Sequence, residues 1–354
     1  MAAARTFHIR PVLDGQPLAA VLKRLLPRES DQGLRRLLAR RQVQLNGNVI
    51  IDPKRRVRGR DVVKVFEHSL AAPATEQDVR VRYRDEHLLV VEKPAGVTTL
   101  RQAGEGVPAR RRDRLATLEE MLQRLLARGA PSQSGRPAPR SPEASRSKHP
   151  MARRAGARPP PGRQGAPRVR PVHRLDRDTS GLMIFALSAD AEAALSAMFK
   201  AHEVDRTYTA VVHGHPREQT IDTYLVRDRG DGLRGSSPRG KDDPDAQQAV
   251  THIRPLERVG AYSVVECRLE TGRTHQIRIH LAEIGHALCG EKTYTRPAPN
   301  AAPVRDASGA PRQALHSASL AFTHPLSGKP LQFKSPLPPD LAHWLAGLRR
   351  AAAH

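Results

Sequence analysis

Three short stretches of this 354-residue chain hold the side chains best suited to bond-making chemistry. The first, His173-Arg174-Leu175-Asp176-Arg177-Asp178-Thr179-Ser180-Gly181, sets two carboxylates among two guanidiniums immediately before an apolar run, Leu182–Leu187. An aspartate in a loop serves as a turn former or cap as readily as a catalyst. Here the neighbours change the weighting. A carboxylate at the end of a buried strand with arginine close by can stay ionised while partly desolvated, which is what a carboxylate nucleophile or base requires. The second stretch, Arg206-Thr207-Tyr208-Thr209-Ala210-Val211-Val212, alternates as a strand would and puts Tyr208 and Ala210 on one face. In the third, a strand over Tyr262–Leu269 ends at Glu270-Thr271-Gly272. Arg273, His275 and Arg278 follow, with Ile277, Leu281 and Ile284 at helical spacing. Arg278 lies beside the buried stripe of that helix, where its guanidinium needs a carboxylate partner.

The elements around these stretches follow from periodicity. Val79 to Gly96 reads as strand, acidic turn, strand, with the four-residue run Leu88–Val91 buried and Lys93-Pro94-Ala95-Gly96 closing it in a loop. A helix is predicted over Leu115–Ala127, burying Leu115, Leu118, Met121, Leu122, Leu125 and Leu126. The strands succeed one another through short turns without regular helical crossovers, so the fold class expected is mixed α+β with a mostly antiparallel central sheet flanked by helices.

Ahead of that core, residues 18, 21, 22, 25 and 26 form one apolar stripe of a first helix, and Ser30 and Asp31 are suited to cap a second that buries Leu34, Leu37 and Leu38. Arg35, Arg36, Arg40 and Arg41 then project from that second helix. Val43 and Leu45, then Val49 and Ile51, flank Asn46-Gly47 as a hairpin would, and Val57–Phe66 supplies a further strand.

Charge points to the partner. Lysine and arginine number 59 against 36 acids, a formal net charge of +23. Ten basic residues face two acids between Arg35 and Lys64. Residues 129–170 hold nine Arg, one Lys, nine Pro and a single acid, Glu143. That second segment cannot bury enough apolar area to order itself and is expected to be a disordered insert. Such an excess calls for a polyanion, nucleic acid first. No apolar run reaches membrane-spanning length, the N-terminus has no secretory h-region, and Cys267 and Cys289 alone cannot form a disulfide framework. A cytoplasmic protein with no membrane association is expected. The domain plan is 1–66 as a small basic module, 67–78 as a linker, 79–128 and 171–345 as the main domain around the 129–170 insert, and 346–354 as a tail.

H-R-L-D-R-D-T-S-G-L at 173–182, R-T-Y-T-A-V-V at 206–212 and T-G-R-T-H-Q-I-R-I-H-L at 271–281 resemble the RluA-type family of RNA pseudouridine synthases. V-V-E-K-P-A-G-V at 90–97 and L-H-S-A-S-L-A-F-T-H-P at 315–325 add weaker matches in the same order. The N-terminal stretch L-R-R-L-L-A-R-R-Q-V-Q-L-N-G with V-R-G-R-D-V-V-K-V resembles an S4-type RNA-binding domain. The resemblance implies the pseudouridine synthase fold and isomerisation of uridine within RNA without metal or organic cofactor. Large-subunit ribosomal RNA is the first candidate substrate and transfer RNA the second. It makes Asp176 the essential aspartate, Tyr208 the active-site tyrosine and Arg278 the basic partner of the aspartate. His173, Arg174, Arg273 and His275 fall to substrate binding near the reaction, and Arg35, Arg36, Arg40 and Arg41 to RNA recruitment. A monomer is expected.

Other readings are weaker. A non-catalytic ribosome-assembly factor on the same fold would show a substitution at Asp176, Tyr208 or Arg278, and none occurs. His275, His280, His286 and Cys289 fit no usual zinc spacing, so no metal site is expected. A DNA-binding regulator lacks a helix-turn-helix pair outside the N-terminal module.

Overall fold

The computed structural model describes residues 5–45, 48–59, 61–66, 75–100, 116–128 and 167–353. At the N-terminus β1 (Arg5–His8), α1 (Leu18–Leu25), α2 (Asp31–Ala39), β2 (Val43–Leu45), β3 (Asn48–Val49) and β4 (Val62–Val65) form a small module. Its antiparallel sheet runs β1-β4-β2-β3. The two amphipathic helices form as their stripes predict, and the Ser30 hydroxyl caps α2 by accepting from Gly33 N at 3.0 Å. Three details differ from expectation. The last strand is Val62–Val65, because a turn in which the Asp61 carboxylate accepts from Arg58 N occupies the preceding residues. Arg40 and Arg41 lie beyond the end of α2, with Arg41 in a left-handed conformation. In β2 the polar Gln44 is buried along with Val43 and Leu45, since a loop of the main domain covers its outer face. The expected turn at Asn46-Gly47 lies outside the described residues.

The main domain comprises β5 (Arg80–Arg84), β6 (Leu88–Lys93), α3 (Leu118–Arg128), β7 (Arg170–Pro171), β8 (Ser180–Ala186), α4 (Ala189–Lys200), β9 (Asp205–His213), β10 (Gln219–Val226), β11 (Gly235–Ser236), β12 (Gln247–Val259), β13 (Tyr262–Leu269), α5 (Gln276–Glu283), β14 (Leu315–Thr323), β15 (Pro330–Lys334) and α6 (Pro339–Ala352). An 11-stranded sheet runs β11-β10-β12-β13-β9-β14-β8-β6-β5, with β15 on β14 and β7 on β8. Only β14 and β8 pair in parallel among the described residues. The mixed, mostly antiparallel architecture is therefore the one expected. In the centre, Met183 and Phe185 of β8 face α3 and α5 while Leu182 and Ile184 face α4. Leu88–Val91 divides between the same two layers. Burial on both faces is why these strands read as continuous apolar runs instead of alternating.

Several boundaries move. The strand expected over Leu182–Leu187 is Ser180–Ala186. Helix α3 begins at Leu118, where Thr117 and Glu120 form reciprocal capping bonds, and Leu115 lies outside the described residues. Of the 129–170 insert, residues 129–166 lie outside the described residues, but 167–170 belong to the domain. Val169 is buried, its N–H donates to Gln123 Oε1 at 2.8 Å, and Arg170 opens β7. Of the 67–78 linker, 67–74 lie outside the described residues, whereas Thr75 and Asp78 make a capping box and Glu76 pairs with Arg124 and Arg128 of α3. Helix α6 continues to Ala352, so most of the expected tail at 346–354 is helical, with Arg349 paired to Glu257.

Candidate active site

Asp176 sits in the loop that enters β8, and that loop is held from four directions. The Lys93 ammonium donates to the carbonyls of Arg177 and Pro94, both at 2.9 Å, and Gly96 N donates to Arg177 O at 2.8 Å. Thr99 Oγ1 donates to Leu175 O at 2.8 Å. From the C-terminal side Arg312 Nη1 donates to Asp178 O at 2.9 Å and Gln313 Nε2 to Thr179 Oγ1 at 2.8 Å. The lysine of V-E-K-P-A-G is thus a structural pin, and burial pushes it down to about 7.

Helix α5 brings the partners. His275 precedes it in the left-handed conformation (φ 62°), a strained position that aims the imidazole inward. Gln276 secures the turn: its carbonyl oxygen accepts from Thr271 Oγ1 and Arg273 N, and its amide donates to Val250 O and Thr251 Oγ1. Arg278, one turn in, donates from Nη1 to Asp176 Oδ2 at 3.1 Å. Its other edge is occupied by Glu291, which accepts from Nε and Nη2, each at 2.7 Å. Such a two-point bond fixes the plane of the guanidinium as well as its position. Glu291 also accepts from the backbone N–H of Thr293 and Tyr294.

The electrostatics follow from this packing. Burial works to raise Asp176, but the charges around it hold the carboxyl below the ordinary range: His275 where it is protonated, and the guanidiniums of Arg278 and Arg174 throughout. Burial likewise acts on Glu291, and Arg278 keeps it ionised. Between two carboxylates Arg278 is held above its ordinary value despite its burial. Burial drives His275 down to about 4, so at neutral pH it is a neutral imidazole. Its Nδ1 meets the Tyr294 hydroxyl at 2.6 Å, and its Nε2 stands 3.7 Å from Asp176 Oδ1.

These groups border a cavity of about 400 Å³, large enough for a single nucleotide. Tyr208, 5% exposed, forms a wall, with burial raising its phenol. Arg206, two residues earlier on the same face of β9, lies over the Phe199 ring at 5.3 Å, donates to Glu270 O at 3.0 Å, and keeps a buried Nε with no hydrogen-bond partner among the described residues. Gly272 leaves room for it, since a Cβ there would stand 2.8 Å from Arg206 Nη1.

Asp176, Tyr208, Arg278, His275, Arg174, His173 and Arg273 all line this one cavity. Their placement differs in kind. Arg174 is exposed at the rim, and Arg273, also exposed, donates to Gln248 O. His173 accepts from Ile184 N at 2.9 Å and stacks on Phe199, so its ring supports the wall. Arg35, Arg36 and Arg40 are exposed on the N-terminal module and Arg41 is half-buried; none of the four lines the cavity. His280 bonds to Thr251 and Thr223, and Cys289 is buried in a separate apolar cluster. Sequence reasoning missed Glu291, Tyr294 and Arg206. The need of Arg278 for a carboxylate was the available signal, but nothing in G-E-K-T-Y-T distinguishes Glu291 from a surface acid.

The family model described as RNA pseudouridylate synthase matches residues 87–283, a span that contains Asp176, Tyr208 and Arg278. The chain belongs to that family. It is an RNA pseudouridine synthase, with a cavity arranged around an arginine-bound carboxylate. Among its relatives, the ribosomal large subunit pseudouridine synthase D of Zymomonas mobilis is 34% identical over 92% of both chains. The protein of that name from Neisseria meningitidis is 34% identical over 96% of this chain and 80% of its own. The human protein RNA pseudouridylate synthase domain containing 4 shares the fold, with a TM-score of 0.53 at 19% identity over 76% of this chain and 93% of its own.

Proposed function

We propose that this synthase isomerises uridine to pseudouridine in ribosomal RNA of the large subunit. The observation that carries the site assignment is the Asp176 carboxylate, bound by Arg278 and facing a nucleotide-sized cavity walled by Tyr208. The relatives that align over nearly the whole chain are named ribosomal large subunit pseudouridine synthase D, which supports ribosomal over transfer RNA as substrate.

The reaction breaks the C1′–N1 glycosidic bond, turns the uracil and joins its C5 to C1′, with loss of the C5 proton and gain of one at N1. Asp176 is the anionic group at the reacting end, ionised at neutral pH, and serves either as nucleophile or as base. The uracil departs with negative charge, and fixed guanidiniums at a partly dry site stabilise it without reorganising. Arg206, held over Phe199 and bonded to Glu270 O, supplies that charge, with the exposed Arg174 beside it at the rim. Tyr208 confines the detached ring while it turns. A uridine inside folded RNA must leave its stack to enter, at a cost of a few kcal/mol. Contacts from Arg35, Arg36 and Arg40 on the N-terminal module, which we read as an S4-type RNA-binding unit, offset that cost.

The test is a pseudouridine map of total RNA from cells with the gene intact, deleted, or carrying Asp176→Asn. A large-subunit position lost in both altered strains is the expected result. A lost position confined to transfer RNA would replace the substrate, and an unchanged map under Asp176→Asn alone would remove the aspartate from the mechanism.

A further inference from the structure

An unbroken chain of hydrogen bonds joins the N-terminal module to the reacting carboxylate. Lys64, in β4 of the module and 8% exposed, donates from Nζ to Thr293 O at 3.0 Å. Thr293 in turn donates from Oγ1 to Gln44 Oε1 of β2 at 3.2 Å. The Thr293 N–H donates to Glu291 at 2.7 Å, Glu291 clamps Arg278 at two points, and Arg278 donates to Asp176. A small polar cavity of about 20 Å³, bordered by Gln44, Arg278 and Thr293 among others, lies at this junction. A second contact stands beside the first. At Gly232, between β10 and β11, a Cβ would fall 2.0 Å from the His8 ring and 2.6 Å from Val62 Cγ2, so the main domain's backbone lies directly on the module's sheet.

The burial of these polar groups is informative. Lys64 and Gln44 lie on the face of a sheet that a free module would expose to water, and both end on Thr293, Lys64 at its carbonyl and Gln44 at its hydroxyl. An ammonium is seldom buried without such a partner. The segment it holds, 291–294, is a loop with no ladder of its own, and Glu291 fixes Arg278 only while that loop keeps its shape.

We propose that Lys64, with Gln44, is a positioning residue of the active site: the RNA-binding module acts as the outer support of the Glu291–Arg278–Asp176 array, so that the surface recruiting RNA and the group reacting with it are held in one register. The inference rests on the role read above for Asp176 and Arg278. It makes the module a determinant of the chemical step as well as of affinity.

The experiment uses full-length protein and a large-subunit ribosomal RNA transcript labelled with tritium at C5 of uridine. Label release is followed under single turnover at saturating enzyme, and RNA affinity is measured by filter binding. Lys64→Met is expected to slow the single-turnover rate at least tenfold while affinity stays within twofold, and Lys64→Arg to restore most of the rate. A Lys64→Met rate within twofold of the parent, or a loss confined to affinity, overturns the proposal. If Lys64→Met does not fold, Gln44→Met decides: a slowed rate at unchanged affinity supports the support role, and an unchanged rate refutes it. Asp176→Asn runs alongside. Its loss of turnover with a normal Lys64→Met enzyme sinks the inference alone, whereas turnover by Asp176→Asn sinks the site assignment first.

Discussion

At the scale of single residues, the site turns on a cation shared unequally. Arg278 gives two hydrogen bonds to Glu291 and one to Asp176, so Glu291 anchors it and Asp176 borrows it. Asp176 accepts a single bond from one guanidinium nitrogen, through Oδ2, while its Oδ1 stands 3.7 Å from His275 Nε2. Glu291→Gln should therefore impair catalysis without touching substrate. Weakening one partner of a buried pair costs roughly 3 kcal/mol or less when hydrogen bonding is partly kept. We expect a lowered melting temperature and turnover reduced by about tenfold or more, checked by calorimetry and tritium release on the same preparation. Asp176 and Arg278 were legible in the sequence because a carboxylate before a buried strand and an arginine beside a buried stripe each demand explanation. Glu291 was not: its role arises from a loop 13 positions beyond Arg278 folding back, and no spacing rule encodes that return. His173 and Arg273 both line the cavity, where the His173 ring accepts from Ile184 N and Arg273 donates from Nε to Gln248 O.

At the scale of elements, the decisive join is the parallel contact of β14 with β8. Gly181 adopts φ 117° there, and a Cβ would lie 2.2 Å from Ser317 O and 2.6 Å from Ser317 N. The two backbones meet where any side chain would part them. Gly181→Ala combines a disfavoured conformation with a backbone clash, two of the mechanisms behind large losses, and should cost roughly 3 kcal/mol or more. Urea unfolding would show it as a lower midpoint at unchanged slope. Hydrophobic periodicity identified α1, α2, α3 and α5 and the strands β6, β8, β9 and β13, since α1, α2 and α3 each bury one stripe, but it left α4, α6, β10 and β12 unread. It erred where a neighbour decides the outcome: Gln44 is buried by a loop from another part of the chain, and α3 starts at the Thr117–Glu120 capping pair, a T-x-x-E signal that the leucine stripe overshadowed. Sheet order and the β14–β8 contact could not be read at all, because pairing over more than a hundred residues leaves no local mark.

At the scale of the whole molecule, acid should undo the fold earlier than its carboxylates alone would. Burial holds His173 near 3 and His275, His280 and His316 near 4. An unfolded histidine titrates near 6.5. Each folded value lies below the unfolded one, so the stabilisation is present in full above about pH 6.5 and is lost as pH falls towards 4, on the order of 1–3 kcal/mol per histidine. Denaturant midpoints measured between pH 7.5 and 4.5 should fall steadily, and a flat profile down to pH 5 would contradict it. The Arg/Pro-rich segment offers a second whole-molecule test. Gln123 of α3 bonds to both Pro167 O and Val169 N, so the chain leaves α3 and returns at neighbouring points. Replacing 130–166 with a short Gly/Ser bridge should preserve the melting temperature and catalysis. Extending the deletion through Val169 should lower stability by about 1–3 kcal/mol, read by the same melt. The strand that completes the sheet also has a consequence in time. The loop bearing Asp176 is pinned by Arg312 and Gln313 and flanked by β14, all contributed by residues that follow it by more than 130 positions. During synthesis the basic N-terminal module emerges and can fold long before those residues exist. On the RNA-binding role proposed for that module, a nascent chain grips RNA before its reaction centre is assembled, and competence follows only once β14 has been made.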